Sequence, residues 1–177
     1  MRFKRRGETD RLQQLAGKLE AAAKKDEEQK LEAQGVYLLR ARAATELHRK
    51  CMELVEAVNR LLPAPLLELS PAECSPEMFR DAEPTIFQIG FSGRLVHLEF
   101  HSTETLRSTE RFRTPYILEG SIRAFNQELL ELAAVPEQFL FCCPENDRLK
   151  WMWFDPRIQR AALLDQNHLI ALLERLL

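Results

Sequence analysis

The sequence predicts an α+β protein, with a long, coiled-coil-like N-terminal helical arm followed by a small antiparallel sheet. We expect that sheet to be built from two hairpins and packed with two helices. Three observations predict this class. The chain is almost free of helix breakers up to Pro63, two alternating apolar segments flank Ser92-Gly93, and apolar residues recur at helical spacings after Pro115 and after Asp165.

The arm carries an apolar seam along one helix face in its second half. The residues of this seam alternate at spacings of four and three: Leu47, Cys51, Leu54, Val58 and Leu61. The first half starts in the same way, with Leu12, Leu15, Leu19 and Ala22, but its seam then meets Asp26 and Gln29. A single helix over this stretch would be roughly 80 Å long, about twice the width of a small domain. We expect two copies to pair into a homodimer, and the alternative is a helical hairpin broken near Gly35.

A proline-rich segment separates the arm from the rest of the chain. It holds five prolines and several acidic residues, and Leu66–Leu69 within it fits a short strand. The predicted division is therefore a helical arm over 1–62, a linker over 63–84 and a compact domain over 85–177.

The compact domain opens with the clearest local pattern in the sequence. The segments "TIFQIGF" and "RLVHLEF" alternate around a two-residue Ser92-Gly93 turn, which predicts a β-hairpin. A two-residue loop pairs Phe91 with Arg94, and the same register pairs Ile89 with Val96 and Phe87 with Leu98. The opposite face then carries the remaining side chains, Ile86, Gln88, Leu95, His97, Glu99 and His101.

Three further elements complete the predicted domain. A helix is expected from the Thr114 N-cap to Pro136, with its apolar face at Leu118, Ile122, Phe125, Leu129 and Leu132. A second hairpin is expected around a Pro-Glu-Asn-Asp turn. Its first strand carries apolar residues at every second position, Phe139, Phe141 and Cys143, and its second strand does the same with Leu149, Trp151 and Trp153. Residues 158–164 fit a helix or a strand. Asp165 is expected to cap a last helix with Leu169, Leu172, Leu173 and Leu176 as its buried stripe.

Composition and charge narrow the classes of protein. With 177 residues, 45% hydrophobic and 29% charged, the chain can build a packed core without disulfide or metal support. A net charge of -2 gives no overall attraction for nucleic acid or anionic lipid. No apolar run follows the basic start "MRFKRRG", and no stretch approaches the roughly 20 apolar residues of a membrane helix, so we expect no secretory signal and no membrane insertion.

The cysteines favour a reducing compartment. They show no CxxC pair and no disulfide-framework spacing: Cys51, Cys74, Cys142 and Cys143. Most are expected to be buried thiols, which predicts a cytoplasmic location.

A candidate metal site lies on the polar face of the first hairpin. His97, Glu99 and His101 are spaced by two residues, which places them on one side of a strand. Two imidazoles and a carboxylate are suitable ligands for zinc or iron. Alternation alone also places three polar side chains on a solvent face, and convergence on one ion requires a fourth ligand from a neighbouring strand, for which Gln88 is a poor donor. We therefore assign no metal ligand and treat the solvent face as the main interpretation.

A second candidate surface is basic. Arg107, Arg111 and Arg113 lie beside Phe112, and cations next to an aromatic ring can hold a nucleic-acid backbone and stack a base. Glu104 and Glu110 dilute this charge, so a solvated loop is the main interpretation. Phosphate-cradling glycine loops, GxSxG elbows and HExxH helices are absent from the sequence, so we assign no catalytic or cofactor-binding residue.

With a strand at Leu66–Leu69, the predicted order is helix, three strands, helix, two strands, helix. This order is similar to that of the type III secretion chaperones, although the long arm departs from the short first helix of that group. The resemblance is of fold only. We expect a non-enzymatic cytoplasmic interaction or scaffold protein, chaperone- or adaptor-like, that self-associates through the arm and binds a protein partner with its α+β domain. The alternatives are a metal-binding protein or metal-dependent enzyme using His97, Glu99 and His101, and a nucleic-acid binder using the basic start and the Arg107–Arg113 loop.

Overall fold

The computed structural model describes residues 3–110, 112–127, 135–146 and 148–177, and the side chains of these residues except at 3–10, 105–107 and 135–136. Two helices, seven strands and one 3₁₀ turn are present in this part of the chain. In chain order they are α1 (Phe3–Leu61), β1 (Glu68–Ser70), the 3₁₀ turn (Pro76–Met78), β2 (Thr85–Phe91), β3 (Arg94–Arg107), β4 (Tyr116–Asn126), β5 (Val135–Glu145), β6 (Arg148–Asp155), β7 (Arg160–Leu163) and α2 (Gln166–Glu174).

The seven strands form one antiparallel sheet in which each strand lies beside the next strand along the chain. The order across the sheet is β1 to β7 without a crossover. The predicted fold class is wrong on two points. The sheet is larger than two hairpins, and the described residues contain two helices rather than an arm with two more.

The main error is the helix predicted between Thr114 and Pro136. Tyr116–Asn126 is strand β4, paired with β3 on one side and β5 on the other. Leu118 and Ile122 are both buried, which satisfies a strand as well as a helix because a spacing of four is even. The predicted positions Leu129 and Leu132 lie outside the described residues.

The first hairpin is confirmed in its register. Strands β2 and β3 pair Phe91 with Arg94, Ile89 with Val96 and Phe87 with Leu98. The turn residues have positive φ angles, 46° at Ser92 and 79° at Gly93. Two successive positive φ values match the type I′ turn that two-residue hairpins prefer.

The last part of the chain follows the sequence pattern closely. Strands β5 and β6 pair as the second hairpin, with Cys142 opposite Trp151 and Leu140 opposite Trp153. Residues Arg160–Leu163 within the ambiguous segment form strand β7, and β1 occupies Glu68–Ser70 within the proline-rich segment. The side chain of Asp165 accepts a hydrogen bond from the backbone N–H of His168, so it caps α2 as predicted.

The chain forms two compact units that divide between Tyr37 and Leu38, within α1. In the first unit, the described side chains from Arg11 to Gln34 are exposed. They include four leucines, Leu12, Leu15, Leu19 and Leu31. The predicted boundaries at 62 and 84 remain a prediction.

The second unit contains the sheet, α2 and the last part of α1. Leu47, Cys51 and Leu54 of the predicted seam are buried here within the chain's own core. The indole N–H of Trp151 donates to the carbonyl of Ala43 at 2.9 Å, which fixes α1 against the centre of the sheet. Seam residues that the pattern assigns to pairing between two copies are therefore covered within one copy.

A buried arginine joins α1 to the sheet where the β3–β4 register shifts. The guanidinium of Arg40 donates to the carbonyls of Ile117, at 3.1 Å, and of Thr103, and forms a 3.0 Å ion pair with Asp81. The Arg40 side chain is 8% exposed, so these contacts satisfy a cation that water barely reaches.

Candidate ligand-binding groove on the open sheet face

The two faces of the sheet differ because alternate side chains point to opposite sides. One face packs against α1 and α2 and is almost entirely buried. Its central residues are Phe87, Ile89, Val96, Leu98, Phe100, Leu118, Ile122, Leu140, Cys142 and Trp151. The opposite face keeps exposed side chains, among them His101, Arg123 and Phe139, and we call it the open face.

An aromatic cluster fills one end of the open face. It consists of Phe112, Tyr116, Phe141, Cys143 and Phe154, with Met152 packed against it. Phe112 comes from the loop before β4 and stacks on Phe141, with ring centroids 4.2 Å apart and an interplanar angle of 14°. The loop is thereby held against strand β5, and the cluster forms a second small core.

Phe139 continues this aromatic surface but is not covered. Its ring lies 6.4 Å from the rings of both Phe141 and Phe154. The residue is 40% exposed, whereas Phe141 is 7% and Phe154 is 4% exposed. A phenylalanine in the middle of a sheet with this much accessible ring is a ready contact for an apolar group.

A polar wall faces the aromatic residues from strands β3 and β4. Glu99 lies 3.2 Å from the guanidinium of Arg123, which also lies 3.9 Å from Glu137 at the start of β5. His101 Nε2 lies 3.4 Å from Glu119. The wall is therefore a row of polar side chains that contact one another across three strands.

The aromatic residues and the polar wall together enclose a groove of about 800 Å³. This volume lies within the range of pockets that bind small molecules or short peptide segments. The residues that line it are Glu99, His101, Thr109, Glu110, Phe112, Tyr116, Glu119, Gly120, Ser121, Arg123, Glu137, Phe139, Phe141 and Phe154.

The structure brings two of the three predicted metal-site residues together. The amide nitrogen of Gln88 lies 3.0 Å from His97 Nδ1, and the other ring nitrogen is Nε2. That nitrogen lies 3.3 Å from Glu99. His101 is engaged with Glu119 instead. Among the residues that the structure describes, there is no group of three His, Cys, Asp or Glu side chains that could hold a metal ion.

The predicted basic surface loses its aromatic residue. Phe112 is 5% exposed and stacked inside the aromatic cluster, so its ring is not available to a base. Arg113 is exposed, as are Glu104 and Glu110. The side chains of Arg107 and Arg111, which complete the predicted surface, lie outside the described residues.

Three cysteines are buried, Cys51 and Cys142 in the main core and Cys143 in the aromatic cluster. Burial raises the pKa of Cys51 to about 12 and that of Cys143 to about 12. Burial, reinforced by the neighbouring Cys143, also raises the pKa of Cys142. Thiols with such pKa values hold their protons at neutral pH and are poor nucleophiles. Trp151 and Trp153 are buried, at 1% and 7% exposure.

Sequence reasoning missed the groove because it missed strand β4. Glu119, Ser121 and Arg123 are alternate residues that line the groove only if this segment is extended. One signal pointed that way: Tyr116, Ile117 and Ile122 are aromatic or β-branched residues, which favour strands.

Comparisons with protein-family models, with curated proteins and with solved structures find no match to this chain. Within the described part of the chain, neither helix combines the length and the apolar character needed to cross a membrane.

Proposed function

We propose that this protein is a non-enzymatic interaction module, which holds a segment of a partner protein in the groove on the open sheet face. The observation that carries the proposal is the accessible ring of Phe139 beside buried aromatic neighbours. A partner side chain that covers this ring removes apolar surface from water on both molecules, which contributes about 25 cal/mol per Å² buried.

The polar groups of the groove can orient a bound segment. Glu99 lies beside Arg123, and Glu119 lies beside His101. Side chains held at fixed positions offer a bound segment hydrogen-bonding partners, and the buried thiols of Cys142 and Cys143 are protonated and poor nucleophiles. The proposal includes a cytoplasmic location, supported by Cys51 and Cys142 packed as small apolar side chains.

Selection of peptides from a random display library tests this function directly. Synthetic versions of the selected peptides are then measured against Phe139→Ala, with Ile158→Ala as a matched control because Ile158 is also an exposed apolar residue, at 62%. We expect Phe139→Ala to weaken binding about tenfold or more, as for a central apolar contact, and Ile158→Ala to leave it unchanged. A selection without binders, or binders indifferent to Phe139→Ala, would refute the proposal.

A second proposal is that the first part of α1 pairs with the same segment of another copy. Leu12, Leu15 and Leu19 follow coiled-coil spacing and are 66%, 52% and 62% exposed. A helix without tertiary packing is marginally stable in water, so a partner helix would stabilise this segment. We expect sedimentation velocity to show a dimer. The double substitution Leu15→Glu and Leu19→Glu should dissociate this dimer into monomers. A monomer at every accessible concentration would exclude this pairing.

A further inference from the structure

We infer that the groove selects a segment carrying an arginine or lysine next to an apolar residue, with Glu119 as the contact for the cation. This inference rests on the proposed function of the groove and adds the chemistry of its ligand.

The strand register places a carboxylate next to aromatic rings. Glu119 on β4 is directly opposite Phe141 on β5, and the next paired residues on the same face are Ser121 and Phe139. Directly paired residues have Cβ atoms about 5 Å apart, and diagonal neighbours are about 7 Å apart. A cation bound to Glu119 therefore lies within reach of the Phe139 ring, where an ion pair and a cation–π contact act on the same group.

The charge balance of the groove also favours a cation. Among its described lining residues there are four carboxylates, Glu99, Glu110, Glu119 and Glu137, and one guanidinium, that of Arg123. Arg123 lies close to both Glu99 and Glu137. Among the described residues, the ion-pair contact of Glu119 is the imidazole of His101, and Glu110 is exposed on the loop before β4. Among the described lining residues, negative charge therefore exceeds positive charge.

Partial burial makes this carboxylate a stronger partner than a surface one. The Glu119 side chain is 25% exposed, compared with 56% for Glu137. An ion pair formed where water is partly excluded is screened less than one on an open surface. Ser121, which is directly opposite Phe139, has a small side chain and leaves room for the incoming group.

The experiment uses the full chain and the peptides selected in the display experiment. We expect them to contain arginine or lysine beside an apolar residue. Replacing that arginine with citrulline, its neutral isostere, should weaken binding five- to tenfold. Glu119→Gln should weaken the binding of the arginine peptide to the same extent. Glu119→Gln should not change the affinity for the citrulline peptide. Glu174→Gln on α2, which packs on the other face of the sheet, is the control and should bind both peptides like the wild type.

The outcomes separate this inference from the function it rests on. Peptides that need Phe139 but show no enrichment of basic residues, and no response to Glu119→Gln, would overturn the inference and leave the groove as a binding site. Peptides that ignore Phe139→Ala would overturn both. A loss of affinity for arginine and citrulline peptides alike in Glu119→Gln would show a structural role for Glu119 and would also overturn the inference.

Discussion

Replacing Gly120 with alanine should destabilise the protein strongly, because β3 and β4 approach each other closely at this point. A Cβ atom at position 120 would lie 1.9 Å from the backbone oxygen of Glu99 and 2.6 Å from the Cα of Phe100. Both are backbone atoms, so the clash is relieved only if the strands separate. Overpacking alone costs about 1–3 kcal/mol, and each weakened ladder hydrogen bond adds up to about 1 kcal/mol. We expect a loss of about 3 kcal/mol in the free energy of unfolding.

The sign of this change distinguishes the observed strand from the helix that the sequence pattern predicts. In a helix interior, Gly→Ala would stabilise the protein by up to about 1 kcal/mol. Urea denaturation followed by the fluorescence of the buried Trp151 and Trp153 measures the change. Gly90→Ala in β2 is the matched control, because its Cβ would meet the flexible end of Leu95, at 2.7 Å, with the nearest backbone atom at 3.5 Å, and should cost less than about 1 kcal/mol. A Gly120→Ala variant as stable as the wild type would refute the reasoning.

Three further predictions concern Arg40, the cysteines and His168. Arg40→Met should lower the free energy of unfolding by about 1–3 kcal/mol, measured in the same assay, because the buried backbone oxygens of Ile117 and Thr103 lose a guanidinium donor; a change below about 0.5 kcal/mol would contradict this. In the native protein Cys74 should react faster with a thiol reagent than the other three cysteines, because it is partly exposed whereas they are buried and protonated, and mass spectrometry would reveal an equally fast second site as a contradiction. Burial and the nearby Arg175 lower the pKa of His168, so the unfolded state binds the proton first and stability should fall as the pH drops below about 6.5. His168→Gln should remove this part of the pH dependence, and an unchanged profile would refute the assignment.

The sequence patterns that predicted correctly are those with one possible period. The first hairpin combines strict alternation with a two-residue turn, and these fix both register and face. The N-cap at Asp165 was predictable for a similar reason, because a short acidic side chain before an apolar helical stripe has a single local use.

The prediction for the segment that forms β4 was wrong because its apolar spacing fits both a helix and a strand. Leu118 and Ile122 share a face in a helix and also in a strand, and Thr114-Pro115 is as compatible with a turn before a strand as with a helix start. The neighbouring strands decide the outcome, since β3 and β5 both offer unpaired edges that only an extended segment can satisfy.

The seam of α1 shows a second kind of ambiguity. A stripe of apolar residues at spacings of three and four predicts that a helix face is buried, but the partner is not encoded in the stripe. For Leu47, Cys51 and Leu54 the partner is the chain's own core. Predicting the groove requires that both ambiguities be resolved, because the helices cover one face of the sheet and β4 supplies residues to the other.

Amide chemical-shift mapping of the labelled full chain, titrated with a selected arginine-containing peptide, tests the central claim most directly. We predict that the perturbed amides cluster at Glu119–Arg123 on β4 and Glu137–Phe141 on β5, and that α2 and the segment Ala43–Leu54 of α1 remain unperturbed. Perturbations centred on the helices, or spread evenly over the chain, would contradict the claim that the open face of the sheet is the binding surface.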